Sequence, residues 1–248
     1  MQRRNFLAIS ATLLGASALN ASSNKALTCK PWYLPSSLAL SKNNLALHVR
    51  DTDSALGRYN PKGKIKTITL DDLVKYHGHL CDGIVFTFLQ LSVALKRFFP
   101  DGIIDRTDLR GACKNSPCMV DGLSYLTGAR INFQTLRIDA SLGASHILQK
   151  ISTGETYRVQ LKKEISSEAL KKAEESIRAK VAKNETVTPA EIDHAEKLAN
   201  DFISKMLSTP LEELVQIEKL NNYIFEPNSS VDAFGKRGDI VNKNVTRS

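Results

Sequence analysis

Residues 77–98 read HGHLCDGIVFTFLQLSVALKRF, and this stretch decides the fold that we predict for the chain. Beyond Gly83, apolar residues recur at helical spacing at Ile84, Phe88 and Leu91, and other apolar residues fill most positions between them. A helix that is apolar nearly all round is buried in the interior of a protein. We therefore predict a long buried central helix that begins beside a polar segment containing two histidines and a cysteine.

Three potential metal ligands stand at the start of this helix. His77, His79 and Cys81 surround Gly78, whose backbone freedom lets side chains of alternating direction converge. Two imidazoles and a thiol are a donor set that zinc favours and that copper or nickel also accepts. A second interpretation makes Cys81 a nucleophile or redox thiol with a histidine as base. In a third, surface histidines merely lie beside a structural cysteine.

Two further cysteines and one carboxylate follow the central helix. Cys113 and Cys118 offer either additional metal ligands or a local disulfide, because Pro117 favours a turn between them. Asp121 lies one helical turn beyond Cys118, where it either orients a histidine ligand through the second ring nitrogen or caps its helix. Cys29, in the lead segment, is a bystander or a disulfide partner.

The flanking segments predict an α+β fold with antiparallel strands. A capped helix is expected after Thr69, a short helix at 119–126, and strands at 131–138 and 157–161, with a loop or short helix at 140–150. Residues 22–66 are predicted to be an irregular lead segment with a possible strand at 45–49, and residues 67–165 to be the core domain.

The last third has a different composition and predicts a helical C-terminal extension over residues 166–248. Alanine, glutamate and lysine dominate 166–183, where an exposed amphipathic helix is expected. Start signals of the Thr-Pro type open two more predicted helices, at about 189–207 and 210–220. A returning strand at 222–225 and a loose tail from 228 complete the prediction.

Residues 1–18 are typical of an export signal. Arg3 and Arg4 precede an apolar stretch at 6–14, and small residues follow at 15–18. The arginine pair followed by Phe and Leu is typical of the twin-arginine route. The apolar stretch is shorter than the ~20 residues that span a bilayer. We therefore expect a protein that is periplasmic or otherwise exported, and soluble after cleavage, without a stable membrane span.

The composition excludes several classes of protein. With 42% hydrophobic and 24% charged residues, the chain is neither disordered nor of low complexity. The formal net charge is +8, but only 6% of residues are aromatic and there is a single tryptophan. Because stacking surfaces for bases require aromatic side chains, we expect no nucleic-acid partner.

The ordered motifs resemble the FmdE family, which is named after a component of formylmethanofuran dehydrogenase. These motifs are HGHLCDG at 77–83, the long apolar helix, CMVD at 118–121 and LTG at 126–128, and the resemblance covers roughly residues 69–164. It implies an FmdE-like α+β core and a tendency to form intertwined homodimers. It also implies a metal site whose ligands are His77, His79, Cys81 and Cys118.

The chain departs from the usual family pattern at two positions. Asp82 stands where the family usually has proline, which adds a possible oxygen ligand, and Ala129 replaces a usual cysteine. The export signal also separates this chain from a cytoplasmic formylmethanofuran enzyme. The predicted function is an exported metal-binding protein that serves a periplasmic redox or metal-handling system. The alternatives are a metal- or thiol-dependent enzyme that uses Cys81, or an interaction module whose helical third binds a partner.

Overall fold

The computed structural model describes residues 46–50 and 65–228, all of which belong to one compact unit. This part of the chain is α+β, as the sequence predicts. Its α-helices are α1 (Leu70–His77), α2 (Asp82–Phe98), α3 (Pro117–Thr127), α4 (Glu168–Ala182), α5 (Pro189–Ser208) and α6 (Leu211–Leu214). Short 3-10 turns occur at Arg106–Asp108, Ile131–Phe133 and Ala140–Leu142.

The described strands form two sheets. They are β1 (Leu47–Arg50), β2 (Lys66–Ile68), β3 (Ile103–Asp105), β4 (Leu109–Cys113), β5 (Leu136–Ile138), β6 (His146–Lys150), β7 (Thr156–Leu161) and β8 (Val215–Lys219). The smaller sheet has the order β2-β1-β3, and β1 runs antiparallel to β2 and parallel to β3. The larger sheet has the order β5-β4-β6-β7-β8, in which only the β4–β5 pair is parallel.

Helix α2 lies at the centre of the hydrophobic core. Twelve of its 17 residues are buried, including Phe88, Leu91 and Leu95. The helix contacts α1, α3 and α5 on its sides and strands β6, β7 and β8 of the larger sheet. This all-round contact explains why the sequence of α2 carries apolar residues on nearly every face, and it fixes the N-terminus of α2 next to the ends of two other helices.

The helical third packs onto the same core. Helix α5 begins with a capping box, in which Thr188 and Glu191 satisfy each other's backbone N–H groups, and Pro189 occupies the first turn. Near its other end, Phe202, Ile203 and Met206 are among the α5 side chains that are buried in one hydrophobic cluster with α2. The division of the chain at residue 165 stays a prediction, although the segments on both sides share this core.

The C-terminal prediction is wrong in two places. The helix expected at 210–220 ends at Leu214, and Val215–Lys219 forms strand β8 instead. Alternating apolar and polar residues fit that strand, and pairing with the exposed edge of β7 satisfies its backbone groups. Residues 222–225 are not a strand. The returning strand therefore exists, but it lies several residues earlier than expected.

The strand prediction at 131–138 also needs correction. A 3-10 turn occupies Ile131–Phe133, and Gln134 adopts a left-handed conformation with φ 58°, so that only Leu136–Ile138 is extended. The antiparallel neighbours of β7 are β6 and β8, because β6 forms within the segment left open at 140–150. Strand β1 overlaps the strand expected at 45–49.

Several predictions concern residues outside the described ranges. These are the export signal at 1–18, Cys29, most of the lead segment and the tail beyond residue 228. Within the described ranges, no helix combines the length and the apolar character that crossing a bilayer requires.

Candidate metal centre

The ends of three helices meet at the HGHLCDG motif of residues 77–83. His77 is the last residue of α1, and Gly78 ends that helix in a left-handed conformation with φ 97°. Cys81 is the N-cap of α2, where its sulfur accepts a hydrogen bond from the Ile84 backbone N–H at 3.4 Å. Cys118 lies in the first turn of α3. The turn at Gly78 reverses the chain between α1 and α2, so that His77 and Cys81 both lie beside Cys118 of α3.

The structure brings together the four residues that the sequence and the family resemblance name as ligands. Ligand atoms of His77, His79 and Cys81 all lie within 4.8 Å of one another. The Cys118 Sγ lies 3.4 Å from the Cys81 Sγ and 3.7 Å from the His77 Nε2. His77, His79 and Cys81 thus form the close group of ligand atoms, and Cys118 joins it through Cys81 and His77. Mixed nitrogen and sulfur donors are the donor chemistry of a zinc-type site.

Asp121 contacts the outer nitrogen of one of these histidines. Its Oδ2 lies 2.8 Å from the His77 Nδ1, and the His77 side chain is only 4% exposed. A carboxylate oxygen accepts hydrogen bonds, so the Nδ1–H of His77 donates to Asp121, and the Nε2 of the same ring faces the two sulfurs. This is the orienting arrangement that carboxylates provide behind metal-binding histidines.

Gly83 ends the HGHLCDG motif, and its steric role in the site is not evident from the sequence. A Cβ atom at this position would lie 2.7 Å from the Cys118 Sγ and 3.6 Å from the Cys81 Sγ. Real Cβ atoms do not approach so closely, hence a side chain at residue 83 would displace the Cys118 sulfur. The sequence shows a glycine in the first turn of a helix, but only the tertiary structure shows which sulfur it accommodates.

Three of the four donors change one another's pKa values. Hydrogen bonds from Cys81 and His77 lower the pKa of the Cys118 thiol to about 5. The hydrogen bond with Cys118, supported by Asp121, raises the pKa of His77 to about 9 despite burial. The neighbouring Cys118 sulfur and burial raise the pKa of Cys81. These shifts favour a negative charge on Cys118 and a positive charge on His77.

Asp82, which the sequence offered as an oxygen ligand, lines a neighbouring cavity. That cavity has a volume of about 460 Å³, and its walls include Phe86 of α2 and Phe202 of α5. Burial and the nearby Glu174 carboxylate raise the pKa of Asp82 to about 6. Among the described residues, the close group of ligand atoms consists of His77, His79 and Cys81 and does not include Asp82.

Cys113 belongs to the core and not to the cluster. Its side chain is fully buried on β4, and burial raises its pKa to about 12. Cys81, Cys113 and Cys118 are all free thiols, so the local disulfide between Cys113 and Cys118 that the sequence allowed is absent. Side chains alternate between the two faces of β4, and Cys113 lies on the face that packs in the hydrophobic core. Cys118 lies beyond the strand, in the first turn of α3. The closeness of Cys113 and Cys118 in sequence therefore does not bring their sulfurs together.

Among solved structures, one that aligns with about two thirds of this chain comes from a protein described as FmdE-like. It is the crystal structure of a tungsten formylmethanofuran dehydrogenase FmdE-like protein from Syntrophus aciditrophicus. The two are 15% identical, the alignment covers 69% of this chain and 79% of that one, and the TM-score is 0.40. No curated protein matches the chain.

The family comparison covers more of the chain than the resemblance seen in the sequence. Residues 76–216 match the family described as FmdE, molybdenum formylmethanofuran dehydrogenase operon. The match begins just before His77, includes the whole cluster and continues through the helical third into β8. Because it spans more than half of the 248 residues, this protein belongs to the FmdE family.

Proposed function

We propose that this protein binds one transition-metal ion, with zinc favoured, through His77, His79, Cys81 and Cys118. The observation that carries the proposal is the convergence of their nitrogen and sulfur atoms, three of which form a group within 4.8 Å while the Cys118 Sγ lies 3.4 Å from one of them. Mixed imidazole and thiolate donors suit zinc, and they also accept copper or nickel.

The residues present fit such an ion in two further ways. Gly83 leaves open the space beside both sulfurs that a Cβ would fill. Asp121 sets the ring of His77 so that its Nε2 lies 3.7 Å from the Cys118 Sγ and 3.9 Å from the Cys81 Sγ. The cluster is thus oriented by a residue that has no place among the ligands, as in proteins that bind metal.

The number of protein ligands bears on the use of the metal. Four protein ligands close a tetrahedral site, whereas three ligands and a water leave a position for chemistry. A bound ion would supply Lewis acidity if a position were open. With four converging donors, we propose that the protein holds or delivers the metal, and that it serves a periplasmic redox or metal-handling system.

Metal analysis of the purified full-length protein tests this proposal directly. We expect one ion per chain after reconstitution under reducing conditions. His79→Ala should lower the metal affinity strongly, whereas His194→Ala, on the exposed face of α5, should leave it unchanged. Equal affinities of the two variants would contradict the proposed ligand set.

A thiol-dependent reaction is the second candidate, and one observation changes which sulfur would carry it. The sequence favoured Cys81 as nucleophile, but the pKa of Cys81 is raised and that of Cys118 is lowered to about 5. Alkylation of the metal-free, reduced protein near neutral pH should therefore modify Cys118 first. Reaction rates no faster than that of an ordinary free thiol would remove this candidate.

Export and homodimer formation are further parts of the proposal. The basis for export is the signal-like sequence at 1–18, with its paired Arg3 and Arg4. Replacement of both arginines by lysine should retain the protein in the cytoplasm if the twin-arginine route is used. The basis for the dimer is membership of the FmdE family, and sedimentation of the mature protein measures it. A monomer at micromolar concentration would contradict it.

A further inference from the structure

We propose that Cys81 and Cys118 form a dithiol–disulfide pair, and that closing this disulfide removes both sulfur ligands from the candidate metal centre. The pairing itself stands on the geometry of the two sulfurs. Its consequence for metal binding rests on the proposed function. The site would then hold a metal only while both cysteines are reduced.

The two sulfurs are already close to bonding distance. They lie 3.4 Å apart, and a disulfide bond is about 2.05 Å long, so each sulfur needs to move by about 0.7 Å. Gly83 presents no Cβ against either sulfur, so residue 83 does not obstruct the approach of the two sulfurs.

The positions of the two cysteines on the fold favour reaction. Cys81 caps α2 and Cys118 lies in the first turn of α3, so both cysteines lie at helix N-termini that meet in the same place. Both side chains are partly accessible, whereas Cys113 is fully buried on β4. Of the three described cysteines, these two are therefore the more accessible to a disulfide donor in solution.

The reaction is an ordinary thiol–disulfide exchange with a small or protein disulfide as the oxidant. One cysteine thiolate attacks a sulfur of the donor, a mixed disulfide forms, and the first donor thiolate leaves. The other cysteine, as its thiolate, then attacks the mixed disulfide and expels the second donor thiolate. Two electrons pass from the cysteine pair to the donor, and the protons of the cysteines pass to the released thiolates or to water.

Metal binding and the disulfide exclude each other. Two thiolates on one tetrahedral zinc lie about 3.8 Å apart, given a zinc–sulfur distance of about 2.3 Å. The observed 3.4 Å lies between that separation and a disulfide bond. A sulfur that has joined its partner has lost the negative charge with which it binds a metal. Oxidation therefore leaves the two histidines as the only original ligands.

The test combines thiol mapping with metal measurement on the full-length protein. The reduced, metal-free protein is exposed to oxidised glutathione, remaining thiols are alkylated, and peptides are identified by mass spectrometry. A parallel sample is loaded with zinc, and released zinc is followed with a chromogenic chelator during the same oxidation. We expect a Cys81–Cys118 disulfide in the metal-free sample, slower oxidation in the zinc-loaded sample, and one ion released per disulfide.

Matched variants separate the pair from the other cysteines. Cys113→Ser and Cys29→Ser should still form the disulfide, whereas Cys81→Ser and Cys118→Ser should each lose it. Serine suits the N-cap position of Cys81, so that variant is expected to fold.

Each outcome bears on one of the two proposals. Cys81 and Cys118 that remain reduced, or that pair with other cysteines, would overturn the inference. Disulfide formation that leaves bound zinc in place would also overturn it. A reduced protein that forms the disulfide but never binds metal would support the pairing and contradict the proposed metal function.

Discussion

Two histidines of this protein illustrate how neighbours decide the chemistry of a residue. His77 lies between two sulfurs and the Asp121 carboxylate, and the hydrogen bond with Cys118 contributes most to a pKa of about 9. His146 lies fully buried on β6, its Nδ1 is 2.7 Å from the Gln90 Oε1, and burial lowers its pKa to about 3. One ring is poised to carry a positive charge, and the other is kept neutral.

Two cysteines show the same contrast. Cys118 and Cys113 are close in sequence, yet the pKa of the first is about 5 and that of the second is about 12. Cys118 lies in the first turn of α3, where hydrogen bonds from Cys81 and His77 stabilise its thiolate. Cys113 is buried in the hydrophobic core. The candidate site and the core thus use the same residue types, in one case for the proposed metal binding and in the other for packing. Variants in both regions can test this division.

The largest expected difference is between alanine variants of these cysteines. Cys118→Ala should reduce metal affinity by more than about 100-fold, because it removes a ligand where even outer residues contribute 10–100-fold. Cys113→Ala should leave metal affinity unchanged and destabilise the fold by about 1 kcal/mol through the cavity that it leaves. Competition with a chromogenic chelator and chemical unfolding measure the two quantities. A loss of metal affinity in Cys113→Ala would contradict the assignment of Cys113 to the core alone.

Gly83→Ala should lower metal affinity by about 10-fold or more, which is less than the effect of Cys118→Ala. The new Cβ would lie only 2.7 Å from the present position of the Cys118 Sγ and would therefore displace that sulfur. Alanine is otherwise favoured over glycine in a helix by ~1 kcal/mol. In a protein that lacks the Cys118 sulfur, Gly83→Ala should therefore not lower the free energy of unfolding. The control is the same change in the Cys118→Ala background, where its effect on affinity should be much smaller, because only the 3.1 Å contact with the Cβ of residue 118 remains. An equal effect in both backgrounds would refute the steric explanation.

Asp121→Asn tests the orienting contact, with an expected loss of metal affinity of about 10-fold. The amide keeps the shape of the carboxylate but lacks the charge that supports the Nδ1–H tautomer of His77. Asp193→Asn, on the exposed face of α5, is the matched control. Isothermal titration of both variants with zinc measures the difference, and unchanged affinity in Asp121→Asn would show that Asp121 has no part in the site.

A separate prediction for the core region concerns the dependence of stability on pH through His146. Its folded pKa of about 3 lies below the ordinary value of 6.5, so the unfolded chain binds the proton first as pH falls. The contribution of this histidine is therefore fully present above pH ~6.5 and is lost toward pH ~3, at up to ~1.4 kcal/mol per pH unit. His146→Gln should flatten the decline of unfolding free energy in that window.

His194→Gln serves as the comparison for that measurement, because His194 is exposed. Urea unfolding of the metal-free proteins at several pH values gives the free energies. Parallel curves for the wild type and the His146→Gln variant would show that His146 is not held neutral by the fold.

The sequence predicted the site better than it predicted the sheet. Spacing around Gly78 pointed to His77, His79 and Cys81, because these ligands are local and their residue types are rare elsewhere in the chain. Strand β4 was missed and β8 was placed too late, because both depend on neighbours that are distant in sequence. Gln90 and His146 were missed for the same reason, since they meet across 56 residues.

The sequence by itself determined the α+β class, the buried helix α2, the capped starts of α1 and α5, and the cluster of donors at the start of α2. Periodicity, capping residues and local spacing act within a few residues, and therefore they can be read directly from the chain. Only the tertiary structure decided that Cys118 joins Cys81 while Cys113 stays in the core, and that Gly83 makes room for the sulfur. These depend on how α2 and α3 pack, and packing is set by the whole core.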